Sequence, residues 1–301
     1  MNVPEIIERS HSVLLCKMEI LRHLVETVTV TGAVCLAGLI LFGIWLLRTS
    51  WGRKALVDSA PRQNNMPLYL PFVALSVWFV SVLVTGSIGS KVMGDSDDWW
   101  TAAVANAIYC IGGIIISVGA VFLARAYFAR RLKGFGLDLR TIHKDVVAAG
   151  VNLLCVWPLV MVAIVLTTKF GKIVWGRDFE MQQHEQIELM VQYPQLSLRI
   201  LIFVVAAVIA PILEEVLFRG LLQTAIRSFL TDLEYRQPAW LSIVMSSGLF
   251  AAAHPNAGHW PALFVLALCL GYAYEKSGSL FRPIFIHALF NGVSLLTVLI
   301  G

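Results

Sequence analysis

Charged residues are scarce in this chain of 301 residues, at 14% of the total, and the mean hydropathy is +0.76. A soluble domain of this length carries about a quarter charged residues. The apolar residues occur in stretches of about 20, enough for a helix to cross a bilayer, and not in the roughly ten-residue alternating segments of a membrane barrel. The sequence therefore predicts an all-α, polytopic transmembrane helical bundle.

Paired cysteines and basic stripes are also lacking. The five cysteines form no C-x-x-C pair. Four of them lie inside apolar stretches, which indicates packing residues and neither a disulfide framework nor a zinc site. No basic stripe with interleaved aromatic residues is present, so we expect no nucleic acid partner.

We predict about eight membrane spans from the criterion of about 20 apolar residues. Their approximate ranges are 28–47, 68–88, 102–124, 146–168, 198–217 with an extension towards 230, 240–256, 259–275 and 281–300. Three regions follow from this division. They are an N-terminal tail or interfacial helix at 1–27, a four-span region at 28–168 and a C-terminal domain at 197–297.

The loops after the first and third spans are rich in arginine and lysine, whereas the loop after the second span is acidic. Because basic loops stay on the cytoplasmic side, both chain ends are expected outside. The expected location is the cell (inner) membrane, with the lipid bilayer as a partner.

Polar groups inside apolar spans are functional candidates, because each ionisable group costs about 2.5–3.5 kcal/mol on insertion scales. In the first four spans the main polar residues are Asn106 and Asn152, which we interpret as interhelical hydrogen-bonding residues. The second half differs, because three polar clusters lie on neighbouring spans. They are Glu214-Glu215-x-x-x-Arg219, Phe250-x-x-x-His254 and His287-x-x-x-Asn291.

The spacing of these clusters indicates chemistry. Glu215 and Arg219 are four residues apart and can pair on one helix face. Glu214 lies about 100° around the helix, so its carboxylate stays free to act as a general base. His287 and Asn291 also share a face, and both can donate hydrogen bonds to one oxygen, as an oxyanion site requires.

Each cluster also has a structural interpretation. The Glu215–Arg219 pair alone is typical of a structural ion pair, and Asn291 alone is typical of a helix–helix contact. The joint presence of two carboxylates, two histidines and an amide favours a catalytic or ion-coupling site. Signatures of other intramembrane proteases, namely H-E-x-x-H, G-x-S-G and G-x-G-D, are absent from the sequence.

The three clusters, in this order, resemble the motifs of the CPBP family. This family includes type II CAAX prenyl proteases and bacteriocin-processing or immunity-associated relatives. The resemblance covers about residues 197–297, a third of the chain, and each motif is complete. It implies a membrane-embedded endopeptidase that cleaves a membrane-associated protein or peptide, with a prenylated CAAX-type tail as one substrate class.

The resemblance also implies roles for individual residues. Glu214, together with His254, is expected to activate a water molecule. His287 and Asn291 are expected to stabilise the oxyanion that forms. The supporting residues are Glu215, Arg219 and Phe250. No cofactor is expected; if a metal is bound, zinc is the expected ion, with Glu214, His254 and His287 as its ligands.

Two other functions stay open on the sequence alone. One is a non-catalytic scaffold or immunity protein with the same fold, and the other is a proton-coupled transporter that uses the carboxylates and histidines as a relay. There is also a geometric difficulty, because upright helices would place the three motifs at different depths. Tilted spans, a helix opened at Pro211, or a fifth helix that continues to about 230 would each remove it.

Overall fold

The computed structural model describes residues 29–92 and 98–300. The predicted tail or interfacial helix at 1–27 lies outside the described residues. Within them the chain is all-α, which confirms the predicted fold class. The ten helices are α1 (Thr29–Arg48), α2 (Leu70–Val92), α3 (Trp99–Tyr127), α4 (Arg131–Phe135), α5 (Ile142–Trp175), α6 (Glu185–Gln192), α7 (Leu196–Asp232), α8 (Pro238–Ala252), α9 (Trp260–Ser277) and α10 (Phe281–Ile300).

Each of the eight predicted spans coincides with one of these helices. Among the described residues, five helical segments are long and apolar enough to cross a membrane: Thr29–Arg48, Trp99–Tyr127, Leu139–Trp175, Leu196–Asp232 and Ala257–Ser277. Two shorter apolar segments, Leu70–Thr85 and Pro238–Ala252, lie between them in the chain. The protein is therefore an integral membrane protein with several membrane-crossing helices.

Helix α7 forms the centre of the fold. It runs to Asp232, which confirms the predicted extension beyond residue 217. Of the alternatives, a helix opened at Pro211 is not seen, because the chain stays helical through that residue. Instead, α7 widens into two π segments, Val205–Ile209 and Val216–Gln223, on either side of a short α-helical stretch. The helix therefore passes Pro211 with a change of hydrogen-bond pattern and without a break.

The described core surrounds α7. All eight residues of its second π segment are buried. Helices α2, α3, α8, α9 and α10 pack against α7. Helix α5 packs against α9 and α10. Helices α2, α3 and α5 thus pack around the C-terminal helices.

Two helix ends meet next to this core. Helix α4 ends at Gly136, with a φ of 101°, and α9 ends at Gly278, with a φ of 69°. Left-handed backbone of this kind favours glycine because it lacks a Cβ. The N–H of Leu280 donates to the carbonyl of Gly136 at 2.8 Å, so the two caps hold α4 against the turn into α10.

A buried ion network that the sequence did not predict ties the loop before α2 to α7 and α9. Glu275 receives the Nε–H of Arg227 at 3.2 Å and the hydroxyl of Ser59 at 2.7 Å, and Arg62 lies 3.6 Å from its other oxygen. The Arg62 guanidinium also lies 3.5 Å from the ring centroid of Tyr274. Both oxygens of Glu275 are engaged in this network, which indicates a structural brace.

Gly220 tests how closely α4 packs against α7. A Cβ added at Gly220 would overlap the ring of Phe135, which is fully buried and cannot move aside. We expect Gly220→Ala to lower the free energy of unfolding by about 1–3 kcal/mol, as overpacked cores do. The measurement is a denaturant titration in detergent micelles.

Gly248→Ala is the matched control, because a Cβ at that helical position meets no atom within 4 Å. We expect it to be neutral or slightly stabilising, since alanine favours helices over glycine. Equal stability of the two variants would contradict the close packing of Phe135 against Gly220.

Candidate active site

A fully buried ion pair stands at the middle of the site. Nη1 of Arg219 donates to Oε1 of Glu215 at 3.0 Å, and both side chains are 0% exposed. Nη2 of Arg219 donates to the carbonyl of Ala267 at 3.3 Å, and the guanidinium lies 4.5 Å from the ring centroid of Phe250. These contacts offset part of the cost of taking the charges out of water, and they join α7 to α8 and α9. Oε2 of Glu215 and Nε of Arg219 are buried without a hydrogen-bond partner among the described residues.

His287 of α10 joins this pair from the other side. Its Nδ1 lies 2.9 Å from the same Oε1 of Glu215 that accepts from Arg219. Because a carboxylate oxygen only accepts, Nδ1 carries the hydrogen and donates it. The other ring nitrogen, Nε2, then faces Glu214, with 3.9 Å between Nε2 and Oε2.

Glu214 keeps a free carboxylate oxygen. The residue is 8% exposed, and its Oε2 is buried with no hydrogen-bond partner among the described residues. The gap of 3.9 Å to Nε2 of His287 is too long for a direct hydrogen bond. An unpaired buried carboxylate oxygen costs free energy, so this one marks a place where a polar ligand would be stabilised.

His254 is connected to the rest of the site by the ring of Phe250. Helix α8 ends at Ala252, and the imidazole folds back so that its Nδ1 donates to the carbonyl of Phe250 at 2.9 Å. This hydrogen bond leaves Nε2 as the nitrogen available for chemistry. The Phe250 ring contacts both imidazoles, with centroid distances of 4.9 Å to His254 and 5.8 Å to His287.

Asn291 is placed differently from the other motif residues. Its Nδ2 donates to the carbonyl of Ala206, in the first π segment of α7, at 2.8 Å. The structure therefore links Glu214, Glu215, Arg219 and His287 directly, brings His254 in through Phe250, and holds Asn291 against α7. The part of the chain that the structure describes contains no group of three or more histidine, cysteine or acidic side chains that could hold a metal ion.

Tyr109 of α3 is a residue of this site that the sequence analysis missed. It packs against the core around Phe218 and Phe250, and its phenol lies within electrostatic reach of Glu214. Gly113, one turn later, allows this approach, because a Cβ there would lie 3.1 Å from Ile209. One face of α3 is buried, with Asn106, Gly113, Ala120 and Ala124 on it. The spacing of these small and polar residues in the sequence could have indicated that this face of α3 packs against another helix.

The segment 176–184, which we call the latch, lies against the loop that carries His254. Nε2 of His259 donates to the carbonyl of Gln182 at 2.8 Å, and Nδ2 of Asn256 donates to the Gln182 side chain at 3.1 Å. The rings of His184 and His259 stack with 6.3 Å between centroids. The latch therefore covers one side of the His254 loop.

Comparison with known proteins agrees with this geometry. Residues 196–293 match the model of the Rce1-like family, described as type II CAAX prenyl endopeptidase Rce1-like. We call this segment, which is similar to that family, the CPBP domain. The match contains all three motifs and confirms the resemblance, while the region before residue 196 lies outside it.

An Escherichia coli protein described as an uncharacterized 24.3 kDa protein is 35% identical to the chain over 83 residues. The aligned part is 27% of this chain, and the chain spans 36% of that relative's length. No solved structure matches the chain.

The ion pair of the CPBP domain gives a stability prediction. Arg219→Met leaves the buried Glu215 carboxylate without its cation, so we expect a loss of about 3–5 kcal/mol in the free energy of unfolding. The double variant Glu215→Gln/Arg219→Met removes both charges and should lose less. Denaturant titration in micelles compares the two, and a double variant less stable than Arg219→Met would contradict this account.

The latch gives a pH prediction. Partial desolvation of the imidazole, followed by the nearby His254 and His259, lowers the pKa of His184 below its ordinary value of 6.5, although the residue keeps an exposed surface. The segment held against the His254 loop therefore binds fewer protons at His184 than the same segment released from it. Its stability is full above pH 6.5 and falls as the pH drops below that value.

Hydrogen exchange of residues 176–184 at pH 7.5 and at pH 5.5 measures this effect, and we expect faster exchange at the lower pH after correction for intrinsic rates. His184→Asn is the control. It keeps a side-chain oxygen that can cap α6, as Nδ1 of His184 caps it through the N–H of Gln186, but it does not titrate. The same pH dependence in this variant would assign the effect to another group.

Proposed function

We propose that the protein is a membrane-embedded endopeptidase in which Glu214 is the general base. The observation that carries this proposal is the buried, unpartnered Oε2 of Glu214, 3.9 Å from Nε2 of His287 among the described residues. A hydrolase needs a base next to a place for water, and this pair of atoms provides both. The CPBP-family match of residues 196–293 supports the same reaction class.

In the proposed mechanism a water molecule bridges these two atoms. With hydrogen bonds of about 2.8 Å to each, its oxygen would sit at the corner of a triangle whose base is the gap between them. The water would replace the missing partner of Oε2. Nε2 of His254 is the proposed acceptor of its second hydrogen.

The proposed reaction has two steps. In the first, the water oxygen attacks the carbonyl carbon of the peptide bond, and Glu214 takes a proton from the water. In the second, the carbon–nitrogen bond breaks, and the leaving nitrogen takes the proton from Glu214. The products are a carboxylic acid and an amine, and the carboxylate is regenerated.

His287 is the proposed donor to the oxyanion between these steps. Its Nδ1–H is donated to Glu215, and a hydrogen on Nε2, the nitrogen that faces Glu214, would be donated to the oxyanion. The amide of Asn291 is donated to the carbonyl of Ala206 instead. Glu215 and Arg219 hold His287 in place and take no part in proton transfer.

The proposed substrate is a membrane-associated protein or peptide. The description of the matched family makes a prenylated CAAX-type tail the first substrate class to test. Other membrane peptides are the second class. The proposal includes no metal or organic cofactor, and it keeps the mechanism within the side chains of the CPBP domain.

The test is a comparison of new peptide termini in membranes from cells that express the wild type or Glu214→Gln at matched levels. Glutamine keeps the shape but cannot accept the proton, so termini produced by the wild type should fall by about 10²–10⁴-fold. Glu188→Gln is the matched control, because Glu188 lies exposed on α6. It should leave the termini unchanged.

The Glu214→Gln variant also addresses the two alternatives. Identical termini for the wild type and a folded, abundant Glu214→Gln variant would overturn the protease proposal. A scaffold would keep its binding in that variant. A proton-coupled transporter would instead show a change in the pH dependence of transport.

A further inference from the structure

The first π segment of α7 leaves one carbonyl without its main-chain donor. The N–H of Ala210 donates to the carbonyl of Val205, five residues earlier. The next donor in this pattern is residue 211, which would pair with Ala206. Residue 211 is proline and has no N–H. In an apolar bundle an unpaired carbonyl costs free energy, so Ala206 requires a donor from elsewhere.

Asn291 supplies that donor. Its Nδ2 lies 2.8 Å from the carbonyl oxygen of Ala206. Close packing brings the two helices together at this point, because a Cβ added at the adjacent Gly292 would lie 3.8 Å from the ring of Phe203 and 4.0 Å from the Cβ of Ala207. A side-chain amide of α10 thus occupies the position that a main-chain N–H of α7 would fill.

The π segment also sets the direction in which the two carboxylates point. Each residue of an α-helix turns the chain by about 100°, so one residue added in a π turn rotates everything after it by that amount. Glu214 and Glu215 follow the π segment directly. If the segment relaxed to a regular α-helix, Glu215 would turn away from His287.

We propose that Asn291 is a positioning residue: its amide replaces the N–H that Pro211 lacks, and it thereby fixes the π segment that turns Glu214 and Glu215 towards His287. The proposed stabilisation of the π segment of α7 by Asn291 does not depend on the proposed function. The proposed effect of Asn291 on cleavage does rest on the proposed function.

A double-mutant comparison of Asn291→Ala and Pro211→Ala tests this proposal. Alone, Asn291→Ala leaves the Ala206 carbonyl unpaired and should shift the unfolding equilibrium by about 5- to 150-fold. With alanine at 211, a main-chain N–H is available to the same carbonyl. In that background, Asn291→Ala should shift the equilibrium by less than about threefold.

The kcat of cleavage distinguishes a positioning role of Asn291 from a purely structural one. The kcat that Asn291→Ala loses should recover at least about tenfold when Pro211→Ala is added. A donor to the oxyanion cannot explain such a recovery, because the amide is absent from both variants. Stable double variants without any recovery of kcat would assign Asn291 a direct contact with the substrate and would overturn the positioning role.

Asn106→Ala is the matched control, since the buried amide of Asn106 donates to Ala102 within its own helix. Its effect should be the same with proline or alanine at 211. Equal effects of Asn291→Ala in both backgrounds would overturn the proposal. If Asn291→Ala alone does not fold, we expect the double variant Asn291→Ala/Pro211→Ala to fold. Failure of the double variant to fold would then overturn the proposal.

If the wild type cleaves no substrate, the proposed function fails, and the comparison of unfolding equilibria alone decides the role of Asn291. The failure of one proposal is in this way distinguishable from the failure of the other.

Discussion

A single carboxylate oxygen, Oε1 of Glu215, accepts hydrogen bonds from Arg219 at 3.0 Å and from His287 at 2.9 Å. Through this oxygen the central helix α7 is joined to α10, and through Arg219 it is joined to α8 and α9. The contact also selects which nitrogen of His287 faces Glu214. The position of His287 next to the free carboxylate of Glu214 therefore depends on the charge and position of Glu215. The proposed chemistry depends on Glu215 in the same way.

The N-terminal helices also contact the residues of the C-terminal domain that form the candidate site and its support. Gly113 allows α3 to pack against the middle of α7, and Tyr109 on α3 interacts electrostatically with Glu214. Further along α7, Arg227 pairs with Glu275 of α9, which Arg62 and Ser59 reach from the loop before α2. The segment that matches the CPBP family is therefore contacted at two places by residues outside the matched part.

Much of the fold and part of the site could be predicted from the sequence. Long apolar stretches gave the helices, because length and hydropathy are local properties. The i, i+4 spacing gave the partners Glu215 and Arg219. The bond from Asn291 to Ala206 could not be predicted in this way, because it depends on a π turn that propensities do not encode. Tyr109 was missed because its relation to Glu214 arises only when two distant helices pack.

The length of α7 sets a condition on any polypeptide that would reach Glu214. This residue lies 18 positions after Leu196 and 18 before Asp232, at the midpoint of the helix. At 1.5 Å per residue, either end of α7 is about 27 Å from the carboxylate. An extended chain covers about 3.3 Å per residue, so a strand entering along the helix axis needs about eight residues before its scissile bond arrives. A shorter tail would have to approach Glu214 from the side of α7.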